Sequence, residues 1–198
     1  MMEARGGKDS QKREGSSHAG ICRRLAAADL EMVMEWRMSP HVTKYMNTDQ
    51  ALTMEGQQCW FERISSSGEL CYWIIVVGDA PCGVINLSNV DMVNRRCGWG
   101  YYVAVKELRS FNLAISLESS LYDYAFGKIG LNKVTGESFC ANTAAIKMHE
   151  LCGCMTEGIL RQHIYKNGQY HDVCVQSMLA GEWMRLRASI DAPRFEFF

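Results

Sequence analysis

The stretch from Gly98 to Gly130 constrains the fold most, because it reads as strand, turn and helix in immediate succession. Gly98-Trp99-Gly100-Tyr101-Tyr102-Val103-Ala104-Val105 is short, aromatic and β-branched, the composition of a strand. Lys106 to Asn112 is a polar break. From Leu113 the apolar residues Leu117, Leu121, Tyr124 and Ala125 recur at helical spacing. Gly127 and Gly130 close that helix, with Lys128 at the negative end of its dipole. A turn that feeds a helix N-terminus points several unpaired backbone N–H groups at one spot, and that spot attracts phosphate.

The flanking chain repeats this alternation. A strand is expected over Gly20–Leu25, then a helix capped by Asp29 and stopped by Ser39-Pro40, because the residue before proline avoids helical geometry. His41 to Gln50 reads as a loop, and Thr53 starts a second helix that ends near Ser65. Three strands follow as a meander: Leu70–Val77, Pro81–Asp91 and Cys97–Val105. Beyond the helix at Leu113–Lys128 come a strand at Lys133–Cys140 and a short helix at Ala144–Cys152 closed by Gly153. A hairpin follows, Met155–Tyr165 with Gln169–Leu179, whose Asn167-Gly168 suits a type I′ turn. Glu182–Arg187 is a last helical turn or two. Residues 1–20 carry little to bury and read as a disordered tail, and 188–198 as a C-terminal tail, leaving one domain over 21–187.

Composition narrows the function classes. The formal net charge is −1, which argues against broad nucleic-acid or membrane binding but permits a local basic pocket. No apolar run reaches the ~20 residues of a membrane span, and no signal peptide is visible. The nine cysteines are scattered through apolar segments, and Cys152-Gly153-Cys154 matches no zinc spacing. Buried, reduced thiols in a cytoplasmic protein without a metal are expected.

Two motifs carry a resemblance. Arg109-Ser110-Phe111-Asn112-Leu113-Ala114 resembles the pyrophosphate loop, Gln/Arg-x-x-Gly-x-Gly/Ala, of the GCN5-related N-acetyltransferases. Asn112 stands at the first glycine, and Asn is among the few other residues that tolerate a positive φ. Asn142, Ala145, Glu150 and Gly153 fit the family's Asn-x-x-Ala-x-x-x-Tyr-Glu-x-x-Gly-Phe pattern, with His149 in place of its tyrosine and Cys154 in place of its phenylalanine. The resemblance implies the α/β acyltransferase fold: a mixed, mostly antiparallel sheet with splayed central strands and flanking helices. It implies acetyl-coenzyme A as acetyl donor. Backbone groups of Leu108 to Ala114 would hold its pyrophosphate, and Asn142 its pantetheine arm. The amides of Tyr101, Tyr102 and Val103 would orient the thioester. His149 would protonate the departing thiolate, since imidazole can donate a proton at physiological pH.

A narrower resemblance reaches one branch, the N-acetyltransferases that act on a UDP-linked 4-amino-4,6-dideoxy sugar in pseudaminic acid biosynthesis. It rests on Glu35-Trp36-Arg37-Met38-Ser39-Pro40-His41-Val42, Trp60-Phe61-Glu62-Arg63, Asn94-Arg95-Arg96, Trp99-Gly100-Tyr101-Tyr102 and Tyr170-His171-Asp172-Val173. It implies that Arg37, Gln57, Ser88, Asn89 and Tyr102 line a sugar-nucleotide pocket. No carboxylate base stands out. Asn86 and Ser88 alternate onto one side of a strand, where they could hold a water that relays the amine proton. Two rival readings keep the fold: an acceptor that is a protein N-terminus, as in the ribosomal relatives, or a domain that binds acetyl-coenzyme A without catalysis. A homo-oligomer is compatible with either.

Overall fold

The computed structural model describes residues 18–48 and 51–198. In chain order the elements are β1 (His18–Arg24), α1 (Leu30–Met38), α2 (Pro40–Thr43), α3 (Met54–Ser66), β2 (Cys71–Val77), β3 (Ala80–Asp91), β4 (Arg96–Val103) and α4 (Phe111–Tyr122). Then follow β5 (Lys133–Phe139), α5 (Thr143–Leu151), β6 (Met155–Lys166), β7 (Gln169–Leu179), α6 (Ala180–Leu186) and β8 (Arg194–Phe197). The strands form one sheet in the order β6-β7-β5-β4-β3-β2-β1-β8. Its pairs are antiparallel except β4 with β5 and β1 with β8.

The apolar residues dictate a sheet covered on both faces. In β2 the consecutive residues Trp73, Ile74, Ile75 and Val76 are all buried, and successive side chains of a strand point to opposite faces. Trp73 and Ile75 join Ile85, Leu87 and Trp99 against Leu117, Leu121 and Tyr122 of α4, Trp183 of α6 and Phe195 and Phe197 of β8. Ile74, Val76 and Val84 pack on the other face against Leu30 and Val33 of α1 and Ile64 of α3. Each such burial stabilises the fold by about 1.5–3 kcal/mol.

One irregularity in this sheet opens the site. The pairing of β4 with β5 runs from Arg96↔Lys133 to Trp99↔Gly136 and stops there. Beyond it, β4 continues to pair with β3 as far as Val103, and β5 with β7 as far as Phe139. The two strands therefore splay, and the β5-facing edge of Gly100–Val103 has no strand partner. Gly136 sits at the last rung, where a Cβ would stand 3.1 Å from Trp99 Nε1.

Several expectations need correction. The C-terminal segment is not a tail: a 3-10 turn at Arg187–Ser189 leads into β8, which completes the edge beside β1. The N-terminal tail reading extends too far, since β1 starts at His18; the rest of that reading, residues 1–17, lies outside the described residues. Asp29 does not cap α1; its carboxylate accepts from Ala26 N–H and pairs with Arg23 at 2.7 Å, closing the turn before the helix. Pro40–Thr43 is a short helix and not loop, as suits proline at a first helical position. The long helix begins two residues early, at Phe111, because the Ser110 hydroxyl accepts from Leu113 N–H as its N-cap. It changes to a wider π-helical turn over Asp123–Ile129 before Gly130, at φ +82°, ends it.

Candidate active site

A cavity of about 680 Å³ occupies the splay. Its walls are Gly100 to Val103 of β4, Gly136 to Ser138 of β5, Arg109, Ser110, Leu113 and Ala114 around the start of α4, and Met148 and His149 of α5. Arg37, His41 and the segment Tyr45–Thr48 close the opposite side. A second cavity of about 390 Å³ adjoins it, lined by Gln57, Trp60 and Arg63 of α3. Arg37, Thr48, Tyr72, Val84 and Tyr102 line both.

The start of α4 is tied down before it meets any ligand. Arg109 Nε donates to the Val103 carbonyl at 2.8 Å, which props the end of β4 against the turn. Of the backbone N–H groups expected to hold a pyrophosphate, four are engaged internally. Leu108 donates to Val105, Arg109 to Lys106, Leu113 to the Ser110 hydroxyl and Ala114 to the Ser110 carbonyl. That leaves Ser110, Phe111 and Asn112, ahead of the first intrahelical bond, as the free donors. Asn112 is the second residue of α4 and is not among the residues with positive φ, so that account of its place in the motif is wrong. A helix position needs no glycine-like backbone, and the Asn112 N–H is one of those left without an internal partner. Arg109, Ser110, Leu113 and Ala114 line the cavity; Leu108, Phe111 and Asn112 do not, and the Phe111 ring is exposed. Three free N–H groups at a helix N-terminus and an unpaired strand edge suit the pyrophosphate and the amide-bearing arm of coenzyme A.

Asn142 lines the cavity and also caps α5, its Oδ1 accepting from Ala145 N–H at 3.4 Å. The cap uses the amide oxygen and leaves the amide NH₂ unengaged beside the cavity. His149 is placed by the other end of α5. Gly153 at φ +92° allows Cys154 N–H to reach the His149 carbonyl at 2.9 Å and Gly153 N–H to reach that of Glu150 at 2.9 Å, a Schellman cap. The imidazole is buried to 8% exposure, edge-on to Trp99, with Nδ1 2.9 Å from Glu118 Oε1.

Glu118 was not among the expected site residues. It is fully buried in α4, where its two oxygens also accept from Tyr101 Oη at 3.0 Å and Tyr122 Oη at 3.1 Å. Desolvation, and then the charge of Glu118, hold both phenols well above their usual range, so they remain donors. One signal for Glu118 is present in the sequence: it is a carboxylate on the stripe that includes Ala114, Leu121 and Ala125.

The remaining expectations divide. Asn86 lines the main cavity. Ser88 lines neither cavity and packs over Gly98, where a Cβ would stand 2.7 Å from its hydroxyl, so the paired water relay loses one of its two members. Asn89 is exposed, at φ +51° where the β3–β4 register shifts, and lines neither cavity. It belongs to a bulge and not to a pocket. Gln57 is buried and faces the second cavity. Arg37 Nε and Tyr102 Oη are both buried without a hydrogen-bond partner while lining both cavities. Burial raises the Tyr102 and Tyr72 phenols, against the pull of Arg37 on both and of Arg63 on Tyr72. His41, whose Nε2 lies 2.8 Å from the Ala104 carbonyl, and Arg63 fall within motifs of the narrower resemblance but were not expected to line the site, and Tyr72 lies in no motif. Lys166 fixes the Arg37 side of the cavity from the β6–β7 hairpin, donating to the carbonyls of Thr43 and Met46 at 2.6 and 2.8 Å.

Among the described residues no cluster of His, Cys, Asp and Glu is placed to hold a metal, and no helix is long and apolar enough to cross a membrane. All nine cysteines are free.

Known proteins agree with this architecture. Residues 21–155 match the model of the acetyltransferase (GNAT) domain. YdaF of Bacillus subtilis, provisionally called a ribosomal N-acetyltransferase, is 35% identical over 102 residues, which span 52% of this chain and 55% of that protein. The uncharacterised N-acetyltransferase p20 of Bacillus licheniformis is 26% identical over 81% of this chain and 93% of its own. The crystal structure of spermidine N-acetyltransferase from Vibrio cholerae in complex with CoA and spermine superposes with a TM-score of 0.78 at 18% identity, over 84% of this chain and 98% of that one. From the splayed β4 and β5, the free N–H groups at the start of α4 and the domain match together, the chain belongs to the GNAT family of acetyl-coenzyme A-dependent N-acetyltransferases.

Proposed function

We propose that this acetyltransferase acts on a primary amine carried by an anionic acceptor, and that the acceptor is a UDP-linked 4-amino-4,6-dideoxy sugar of pseudaminic acid biosynthesis. One observation carries the reading. The two cavities are lined by Arg37, Arg63 and Arg109, while Glu137 is the one carboxylate among their described residues. An ammonium held ~5 Å from one guanidinium, at an effective dielectric of ~20, is opposed by about 3 kcal/mol. A polyamine bears several such charges, so this lining disfavours the spermidine that some relatives take. A diphosphate gains from the same groups. Arg37 Nε and Tyr102 Oη, buried without partners, lack the acceptor atoms that phosphate oxygens supply. The narrower sequence resemblance, with Arg37 and Tyr102 in its motifs, selects the sugar nucleotide among anionic amines.

Acetyl-coenzyme A supplies the activated acetyl group as a thioester. The N–H groups of Ser110, Phe111 and Asn112 bind its pyrophosphate, and the Asn142 amide meets the pantetheine arm. The free edge of β4 at Tyr101–Val103 aligns the thioester and polarises its carbonyl. Arg37, with Gln57 and Tyr102, holds the acceptor so that its amine reaches that carbonyl near Asn86. His149 gives a proton to the departing sulfur. The nine free cysteines support the reading of a reducing compartment, the cytoplasm.

A protein N-terminus is the second reading, favoured by the 35% identity to YdaF. Calorimetric titration in the presence of coenzyme A separates the readings. UDP binding in the micromolar range, with no binding of spermidine or of a short peptide, supports the sugar nucleotide. Peptide binding without UDP binding transfers the acceptor role to the protein N-terminus.

A further inference from the structure

We propose that Glu118 is a positioning residue that fixes the tautomer of His149, and that His149 Nε2 thereby serves as both base and acid in the transfer. The inference rests on acetyl transfer at this cavity and not on which acceptor amine is used.

With Glu118 as a carboxylate, the hydrogen-bond inventory around it allows one polarity. Tyr101 Oη and Tyr122 Oη are phenols kept protonated, and both lie within bonding distance of its oxygens. Burial raises the Cys154 thiol to about 12, so it too is a donor, and it meets Tyr122 Oη at 3.1 Å. Cys152 is another thiol pushed up by burial and by the charge of Glu118. Glu118 is the acceptor that both phenols share. The nitrogen facing it, His149 Nδ1 at 2.9 Å, must then carry a proton. In the neutral ring this leaves Nε2 as a lone pair. Trp99 and Tyr101 hold the ring edge-on, at centroid separations of 4.9 and 6.4 Å, so it cannot turn over to exchange its nitrogens without breaking that packing.

A lone pair at Nε2 beside the cavity answers the lack of a carboxylate base. The acceptor nitrogen bonds to the acetyl carbon, and the C–S bond breaks with its electron pair on sulfur. Nε2 takes the proton that nitrogen must lose and delivers it to the sulfur. The products are amide and thiol, the ring returns to its starting tautomer, and nothing is oxidised or reduced. Glu118 touches neither reactant; it sets which nitrogen is available. Glu118 and Tyr122 on α4, Tyr101 on β4, and Cys152 and Cys154 beyond α5 are the titratable groups around the ring. The phenols and thiols, held high, do not titrate in the neutral range.

Ring ¹⁵N chemical shifts of the whole protein, at a pH where the ring is neutral, test the first half. The expected result is a protonated Nδ1 and an unprotonated Nε2 at His149; the reverse tautomer overturns the proposal, and this reading needs no variant to fold. Kinetics test the second half, where chemistry limits turnover. The kcat of the parent enzyme is expected to rise with pH through a single step, since Nε2 must be free; a kcat that falls through that step means an acid alone and overturns the dual role. Glu118→Gln keeps an acceptor for Nδ1 but turns an NH₂ toward a donor. It is expected to lower kcat by about 10²-fold or more, the contribution of general acid–base catalysis, to leave both KM values within about two-fold, and to abolish the tautomer preference. A Glu118→Gln enzyme with the parent's kcat overturns the positioning role.

Discussion

Replacing Arg37 by methionine should move stability and acceptor binding in opposite directions. Met keeps much of the side-chain bulk but removes a guanidinium whose Nε is buried without a partner and whose Nη2 touches Thr48 Oγ1 at only 3.5 Å. A buried donor left unsatisfied costs about 1–3 kcal/mol. Its removal should therefore leave the free protein as stable or stabilise it by about 1 kcal/mol, a rise in Tm of roughly 2–4 °C for a chain of this size. Bound to a diphosphate, the same group makes charge-assisted hydrogen bonds worth on the order of 1.5–3 kcal/mol. At about 1.4 kcal/mol per tenfold, the KM for the UDP-amino sugar should rise roughly 10- to 140-fold. The KM for acetyl-coenzyme A should hold, because Ser110 to Asn112 lie across the splay. Scanning fluorimetry and initial rates give both numbers. A lower Tm with an unchanged acceptor KM would make Arg37 a structural group and refute the reasoning.

Three other perturbations follow from single contacts. Ser110→Ala removes the α4 N-cap and should cost ~1 kcal/mol of stability while weakening acetyl-coenzyme A binding, checked by denaturant melts and calorimetry; equal affinity would free α4's N-terminus from the cofactor role. Gly153→Ala forces a side chain into φ +92° and sets a Cβ 2.4 Å from Leu186 Cδ1, so it should destabilise by ~1–3 kcal/mol and, because that cap seats His149, lower kcat as well; an unchanged melt and kcat would contradict this. Burial raises the Asp123 carboxyl, but bonds to Arg187, Trp183 and Arg194 outweigh it and leave the group below its ordinary 3.8. Its stabilisation is therefore full above about pH 4 and is lost as pH falls through the depressed value, so Asp123→Asn should show a shallower loss of Tm between pH 5 and pH 3 than the parent.

The sheet, its meander and the splay were legible because the signals are local or shared with a family. The strand at Gly98–Val103 is aromatic and β-branched, and Asn167-Gly168 announces a hairpin. β8 escaped notice because Arg194-Phe195-Glu196-Phe197 is four residues long and is made a strand only by pairing with β1, far away in sequence. Asn112 was misjudged because a motif glycine suggests a strained backbone, whereas here Ser110 nucleates a regular helix. Ser88 and Asn89 were misplaced by a register shift between Ser88 and Asp91 that no pattern in the strand announces. Glu118 looked like one charge in a helix; its function as an acceptor depends on Tyr101, Tyr122 and His149 arriving from three elements.

The most direct test ranks acceptors by kcat/KM with purified enzyme and acetyl-coenzyme A. A UDP-linked 4-amino-4,6-dideoxy sugar, spermidine and a peptide with a free N-terminus are compared under one set of conditions, with UDP as competitor. The account predicts turnover of the UDP-amino sugar at least ~10²-fold more efficient than that of the other two, competitive inhibition by UDP, and loss of both on Arg37→Met. Spermidine acetylated as efficiently as the sugar nucleotide, with UDP without effect, would contradict an anion-binding acceptor site.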